Sequence, residues 1–312
     1  MNPLTISLRL SPTGGDVAHS PDLTTIKSMR TKSMLLLLVH GYNNTRTEAQ
    51  ASFSAFLDIQ RELYGAQTLN ELPSDRDLAQ VFWPGDGWGV LGPAYYSAAL
   101  GHAEEAAPVL ADVLEQLGRS SGGALTVEFV GHSLGCRLVL ETMKQLERST
   151  AVTLGRVAFM AAAVPVQFLE DVNHSPSLVD EFQWMSEHGA LSLYSPDDLV
   201  LAGAFPAGET ISLSEHSFFP LALGHNAWQG SQPQDRFEQD IVAGAGHSDY
   251  WGQREATRAA CATVASEKVR KFLQLPIGER QLQGRNSPER MTDERTTDRR
   301  MVDAREISIR QT

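Results

Sequence analysis

The sequence is short of cysteine, of basic charge and of long apolar runs, and each shortage removes a class of protein. Two cysteines, Cys136 and Cys261, among 312 residues rule out a disulfide framework. So low a count fits a reducing, cytoplasmic setting. The apolar run Met34–Val39 has the length of a strand, and no stretch approaches the roughly 18 apolar residues of a membrane-spanning helix. The start, Met1 to Leu10, lacks a basic segment followed by an apolar core, so no secretory signal is expected. Basic residues number 26 against 38 acidic ones, a net charge of −12. A nucleic-acid partner needs a basic footprint, so none is expected. The chain has no H-E-x-x-H, cysteine cluster or Walker loop, and no G-x-G-x-x-G between a strand and a helix. Neither a metal nor a cofactor is therefore indicated.

What is present is ordinary globular composition, with 42% apolar and 21% charged residues. Leu4–Leu10 alternates apolar and polar residues, as a half-buried strand does. Leu35–Val39 is continuously apolar and reads as a central strand covered on both faces. Ala79–Trp83, Leu125–Val130, Val157–Met160 and Leu191–Tyr194 read as further strands, and Ile241–Ala243 as a last one. Helical spacing appears over Arg46–Tyr64, Ala103–Leu117, Leu134–Leu146 and Arg254–Leu273. Strands alternating with helices imply βαβ units and a mostly parallel central sheet with helices on both faces.

The expected organisation has three parts. Residues 1–33 form an N-terminal strand and loop, residues 34–276 one α/β domain, and residues 277–312 a tail. Within the domain, 206–236 lacks periodicity and reads as a lid or insertion. The tail carries 8 arginines and 7 acidic residues with little apolar content. It cannot bury enough apolar surface to offset the entropy of ordering, so disorder is expected there.

Gly131-His132-Ser133-Leu134-Gly135 follows a strand and opens a helix, the setting in which G-x-S-x-G forms a nucleophile elbow. Such a turn strains the serine backbone, requires small neighbours and lifts the Ser133 hydroxyl above the sheet. The helix start offers free N–H groups to a developing oxyanion. His40-Gly41-Tyr42-Asn43-Asn44 follows the earlier apolar strand, where a second oxyanion donor is needed. The backbone N–H groups of Tyr42 and Leu134 are the expected pair. A serine nucleophile needs a base and an orienting acid, in the chain order Ser, Asp or Glu, His. Of nine histidines, His247 lies in Gly246-His247-Ser248, past the last expected strand and before the closing helix. His174, His188, His216 and His225 lie in polar or irregular stretches, and His132 is expected to face away from the chemistry of its neighbour. For the acid, Tyr194-Ser195-Pro196-Asp197-Asp198 offers two adjacent carboxylates. Asp198 is favoured because Val200 and Leu201 follow it one residue on, and Asp197 is expected to cap a turn. Trp83, Asp86 and Trp88 read either as pocket lining or as packing anchors, and Cys136 as a small core residue.

These motifs resemble the α/β-hydrolase superfamily. More closely, they are similar to a bacterial group of serine-hydrolase-like proteins with an H-G-[FY]-N-N loop, a Trp-Pro strand end, G-H-S-[LM]-G and a late G-H-S. The counterparts here are His40 to Asn44, Phe82 to Asp86, Gly131 to Gly135, Tyr194 to Asp198 and Gly246 to Ser248. The resemblance spans about residues 34–275. It implies the α/β-hydrolase fold, a small-molecule acyl substrate and ester hydrolysis through an acyl-enzyme. Lipase, thioesterase, amidase or acyltransferase chemistry on the same residues, or a non-catalytic binding module, are the alternatives.

Overall fold

Met34–Val39 is apolar throughout because both of its faces and both of its edges are covered. In the computed structural model this strand, β2, pairs in parallel with β3 (Arg76–Phe82) on one side and β4 (Leu125–His132) on the other. The structure describes residues 3–10, 16–17, 32–64, 76–85, 93–120, 125–166, 189–207, 220–227, 237–252 and 256–275. With β1 (Leu4–Ser7), β5 (Val152–Met160), β6 (Ala190–Tyr194) and β7 (Phe237–Ile241), the described strands form one seven-stranded sheet. Its order is β1-β3-β2-β4-β5-β6-β7, and every neighbouring pair is parallel.

Among the described residues, helices α1 (Arg46–Tyr64), α2 (Pro93–Ser120) and α3 (Gly135–Leu146) connect strands, and α4 (Ala256–Phe272) follows β7. The crossover from β2 through α1 moves one way across the sheet, and those from β3 through α2 and from β4 through α3 move the other way. Parallel crossovers are right-handed, so α1 falls on one face and α2 with α3 on the opposite face. The connections diverge after β2 and β4, and this reversal opens a crevice at the carboxyl ends of those two strands. No helix among the described residues is long and apolar enough to cross a membrane.

Several boundaries differ from expectation for physical reasons. Helix α2 starts at Pro93 rather than Ala103, because its first turns are rich in alanine and tyrosine and carry no narrow apolar stripe. Proline at the first helical position is favourable there, since its missing N–H would find no acceptor anyway. The last strand is Phe237–Ile241, not Ile241–Ala243. It lies at the sheet edge, where Glu238, Gln239 and Asp240 face partly into solvent, so it lacks the apolar run of an inner strand. Strand β1 ends at Ser7, with Arg9 continuing into a lone bridge to Val17. Strand β5 begins at Val152, five residues ahead of expectation. Gly155 admits the Glu128 side chain there, where a Cβ would lie 2.8 Å from Glu128 Cγ. Of residues 206–236, the described part 220–227 is tied to the end of β5. Pro165 bridges Ala222, the Gly224 N–H donates to Ala162 O at 2.9 Å, and Leu223 is fully buried. Residues 208–219 and 228–236 of that stretch, Asp86, Trp88, His174, His188 and the tail 277–312 lie outside the described residues, and His216 with them.

Two local devices fix the helices. Thr45 and Glu48 form a capping box at the start of α1. The Thr45 N–H donates to Glu48 Oε2 at 2.9 Å, and the Glu48 N–H donates to Thr45 Oγ1 at 3.3 Å. Between α1 and α4, the buried Gln60 side chain donates to Ser266 O at 2.9 Å and accepts from Arg270 Nη1 at 3.1 Å. Replacing this amide by an isosteric apolar group removes an acceptor from a buried guanidinium. Gln60→Leu should therefore lower unfolding free energy by about 1–3 kcal/mol in urea titrations, with an unchanged m-value.

Candidate active site

Strand β4 runs into a turn where Ser133 adopts φ 54°, the left-handed region that costs a residue with a Cβ about 1–2 kcal/mol. The surroundings hold it there. The Ser133 N–H donates to Met160 O at 3.0 Å, and its carbonyl accepts from the Ala163 N–H at 3.2 Å. Neighbouring glycines make the approach sterically feasible. A Cβ on Gly135 would lie 2.2 Å from His40 O, and one on Gly41 would lie 2.7 Å from Ser133 Cβ. Cys136, one turn on, is fully buried against the end of β5. Burial pushes its thiol pKa up, as suits a core residue.

The Ser133 hydroxyl lies 2.8 Å from His247 Nε2, and His247 Nδ1 lies 2.8 Å from Asp198 Oδ2. A carboxylate only accepts, so Nδ1 carries the proton and Nε2 is the bare nitrogen that faces the serine. Asp198 is fully buried at the end of β6. Its second oxygen, Oδ1, accepts the N–H groups of Val200 at 3.1 Å and Leu201 at 3.0 Å, which open the π-helical turn Val200–Ala204. Asp197 points elsewhere and accepts the Gly244 N–H at 2.9 Å, anchoring the loop that carries His247. Both aspartates thus cap backbone, where a cap was expected of Asp197 alone.

The loop after β2 reaches the elbow because Val39 pairs with Gly131 in register. Leu134 precedes α3, so its N–H has no acceptor within the helix. Tyr42 follows Gly41, and the Asn44 amide braces this loop by donating to Tyr42 O at 2.9 Å and Gly41 O at 3.2 Å. Asn43 at φ 57° turns the chain, a conformation asparagine tolerates. The Tyr42 ring meets Tyr96 edge-on at 6.2 Å, and Tyr96 meets Phe205 at 6.1 Å. Trp83 is fully buried and does not line the site. It stacks on His40 at 5.6 Å and donates from Nε1 to His40 O at 2.8 Å, so it is a packing anchor.

Three residues outside the expected set hold the site together. His40 is fully buried, donates from Nδ1 to Gly41 O at 2.9 Å and accepts at Nε2 from the Trp83 N–H at 3.2 Å. Arg9 Nη2 lies 3.4 Å from the same Nε2 and donates to Asn44 O at 2.8 Å. His132 does not face away from the chemistry. Its Nε2 donates to His247 O at 2.8 Å, and the two rings lie 5.2 Å apart. A histidine beside a G-x-S motif gives no sign of where its ring turns, so only the three-dimensional fold reveals this contact. His225 sits in the described turn 220–227, apart from this hydrogen-bonded set.

Burial holds both His40 and His132 neutral, with pKa values lowered from 6.5 to about 3. The Arg9 charge adds to the shift at His40, and His247 adds to it at His132. The unfolded chain takes up these two protons below pH 6.5 while the folded chain does not. Their contribution to stability is therefore complete above pH 6.5 and is lost as pH falls toward about 3. Each group adds a slope of about 1.4 kcal/mol per pH unit inside that window. Urea unfolding followed from roughly pH 6.5 to 5 should show this loss, and His132→Gln should reduce the slope by about one proton.

No curated protein matches the sequence. Among solved structures, TT1662 from Thermus thermophilus is 17% identical, with 79% of this chain and 89% of that chain covered and a TM-score of 0.39. Carboxyl esterase 2 from the mycorrhizal fungus Tuber melanosporum is 12% identical, with 77% and 78% covered and a TM-score of 0.38. The RedJ thioesterase of the prodiginine biosynthetic pathway in Streptomyces coelicolor is 14% identical, with 76% and 86% covered and a TM-score of 0.38. The family described as alpha/beta hydrolase of unknown function (DUF900) matches residues 18–199, which include the loop after β2, the elbow and Asp198. With that match over more than half its length, the chain belongs to this alpha/beta hydrolase family.

Proposed function

We propose that the protein is a serine hydrolase that cleaves an ester-type bond in a small-molecule acyl substrate through an acyl-enzyme. The observation that carries this reading is the continuous hydrogen-bond chain from Ser133 Oγ through His247 to the buried Asp198 carboxylate, two links of 2.8 Å each. In the reaction, Ser133 Oγ attacks the acyl carbon and its proton passes to His247 Nε2. The imidazolium returns that proton to the departing alkoxide. Water then attacks the acyl-enzyme, gives its proton to His247 Nε2, and Ser133 leaves with that proton as the acid is released. Asp198 keeps the second proton on Nδ1 and stabilises the imidazolium without becoming protonated.

The N–H groups of Tyr42 and Leu134 receive the oxyanion, each worth roughly 3 kcal/mol by comparison with measured donors. The Tyr42 ring, with Tyr96 edge-on to it and Phe205 packed behind Tyr96, gives the acyl group an apolar wall. No cofactor takes part. Thioesters and amides would engage the same atoms, so a panel of p-nitrophenyl esters, thioesters and anilides of increasing acyl length ranks the substrates.

The roles of the two aspartates separate cleanly. Asp198→Asn replaces the acceptor for Nδ1–H and lets the imidazole take the wrong tautomer, which costs up to about 10⁴ in kcat in a well-studied serine protease. Because Oδ1 can still accept from Val200 and Leu201, stability should change little. Asp197→Asn should leave kcat within about threefold and cost about 1 kcal/mol or less. Steady-state kinetics at one pH near 8, with thermal melts on the same samples, make the comparison. A crippled Asp197→Asn beside an active Asp198→Asn would reassign the acid.

A further inference from the structure

His247 is the member of the site with the weakest claim to a fixed place. It sits on a turn between β7 and α4, whereas Ser133 ends a central strand and Asp198 is buried at the end of β6. Three described hydrogen bonds hold it: Nδ1 to Asp198, Nε2 to Ser133, and its own carbonyl to His132 Nε2. The first two fix the ring. The third ties the backbone from which the ring hangs to the residue before Ser133, beside the turn's own bonds from the Gly246 N–H to Asp249 Oδ2 at 2.8 Å and from the Gly244 N–H to Asp197 Oδ2 at 2.9 Å.

We propose that His132 is a positioning residue that sets the height of the base over the nucleophile, through its single Nε2–H bond to the His247 carbonyl. This inference rests on the reading of Ser133, His247 and Asp198 as a hydrolytic site. His132 precedes Ser133 in the chain, so the bond closes a small ring. Ser133 joins His132 by a peptide, His132 joins the His247 carbonyl, and the His247 ring returns to Ser133 Oγ. The spacing between nucleophile and base is thereby set locally, without passing through four strands of the sheet.

The surroundings allow the His132 ring one useful orientation. It is only 5% exposed, and the rings of Tyr250 and Trp251 lie 6.2 and 5.9 Å from it. On its other side stands Gly41, where a Cβ would come within 2.8 Å of His132 Nδ1. The absence of a side chain at position 41 therefore serves the His132 ring as well as the elbow. Nδ1 is buried and has no hydrogen-bond partner among the described residues. With the proton on Nε2, that nitrogen is a bare acceptor and no buried N–H is orphaned. A ring flip would give up the bond to His247 and offer nothing in return.

Glutamine and asparagine separate positioning from mere filling of space. The glutamine amide nitrogen falls near the place of Nε2 and can still reach the His247 carbonyl. That of asparagine falls near Nδ1 and cannot. His132→Gln should keep kcat within about threefold, while His132→Asn should lower it about 10- to 100-fold with KM within about twofold. A second readout needs no turnover. The downfield proton resonance of the His247 Nδ1–H held by Asp198 should persist in wild type and His132→Gln, and should broaden or vanish in His132→Asn.

Equal loss of kcat in both variants, or wild-type kcat in His132→Asn, overturns the proposal. If His132→Asn does not fold, the glutamine variant decides: kcat near wild type supports the role, and a loss of about tenfold or more overturns it. If wild type turns over no ester, the hydrolase reading fails separately, and the resonance alone judges His132. A signal unchanged in His132→Asn then overturns the positioning role.

Discussion

The structure depends on one crowded point, the left-handed backbone at Ser133. A side-chain-bearing residue keeps φ 54° only when its neighbours leave it no alternative. Here β5 grips the Ser133 N–H through Met160, and Ala163 grips its carbonyl. The loop after β2 presses in so closely that Gly41 and Gly135 have no room for a methyl group. Releasing the turn would therefore separate three chain segments at once. The parallel sheet makes this convergence possible, because β2, β4, β5 and β6 all end at the same edge and the crossovers diverge between β2 and β4.

Around that turn, the polar groups of Asp198, His40 and His132 are organised by burial and by hydrogen bonds of fixed direction. Asp198 has both oxygens occupied, one by His247 and one by two backbone N–H groups. His40 and His132 are held neutral by burial, so each supplies one donor and one acceptor of fixed identity. His40 spends its donor on Gly41 O and its acceptor on Trp83, bracing the loop after β2. His132 spends its donor on the His247 carbonyl, bracing the turn after β7. A charged His40 would offer a second donor where the Trp83 N–H requires an acceptor, and a charged His132 would bury an N–H with no partner among the described residues, which ties the geometry of the site to pH through folding.

The inner strands were legible because burial on both faces leaves an unbroken apolar run, as in Met34–Val39. Strand β7 was not, since an edge position tolerates Glu238, Gln239 and Asp240 and erases the pattern. Among the site residues, Ser133 was nominated by the elbow motif between a strand and a helix, and Asp198 and His247 by chain order and their places past later strands; the structure brings the three into contact. The choice of Asp198 over Asp197 followed the apolar residues after it, and Leu201 is indeed buried, whereas Leu199 is 81% exposed. Arg9, His40 and His132 were not legible as parts of one site. Each acts through the direction of a side chain, and neither periodicity nor motif spacing carries that information.

The central claim is that Ser133 is a nucleophile activated by His247. Its most direct test is intact-mass measurement of the wild-type protein after exposure to a fluorophosphonate, followed by peptide mapping of the adduct. One phosphonyl group on the peptide that contains Ser133, absent when His247 is replaced by alanine, is the result this account predicts. No adduct, or an adduct on a different residue, would contradict it.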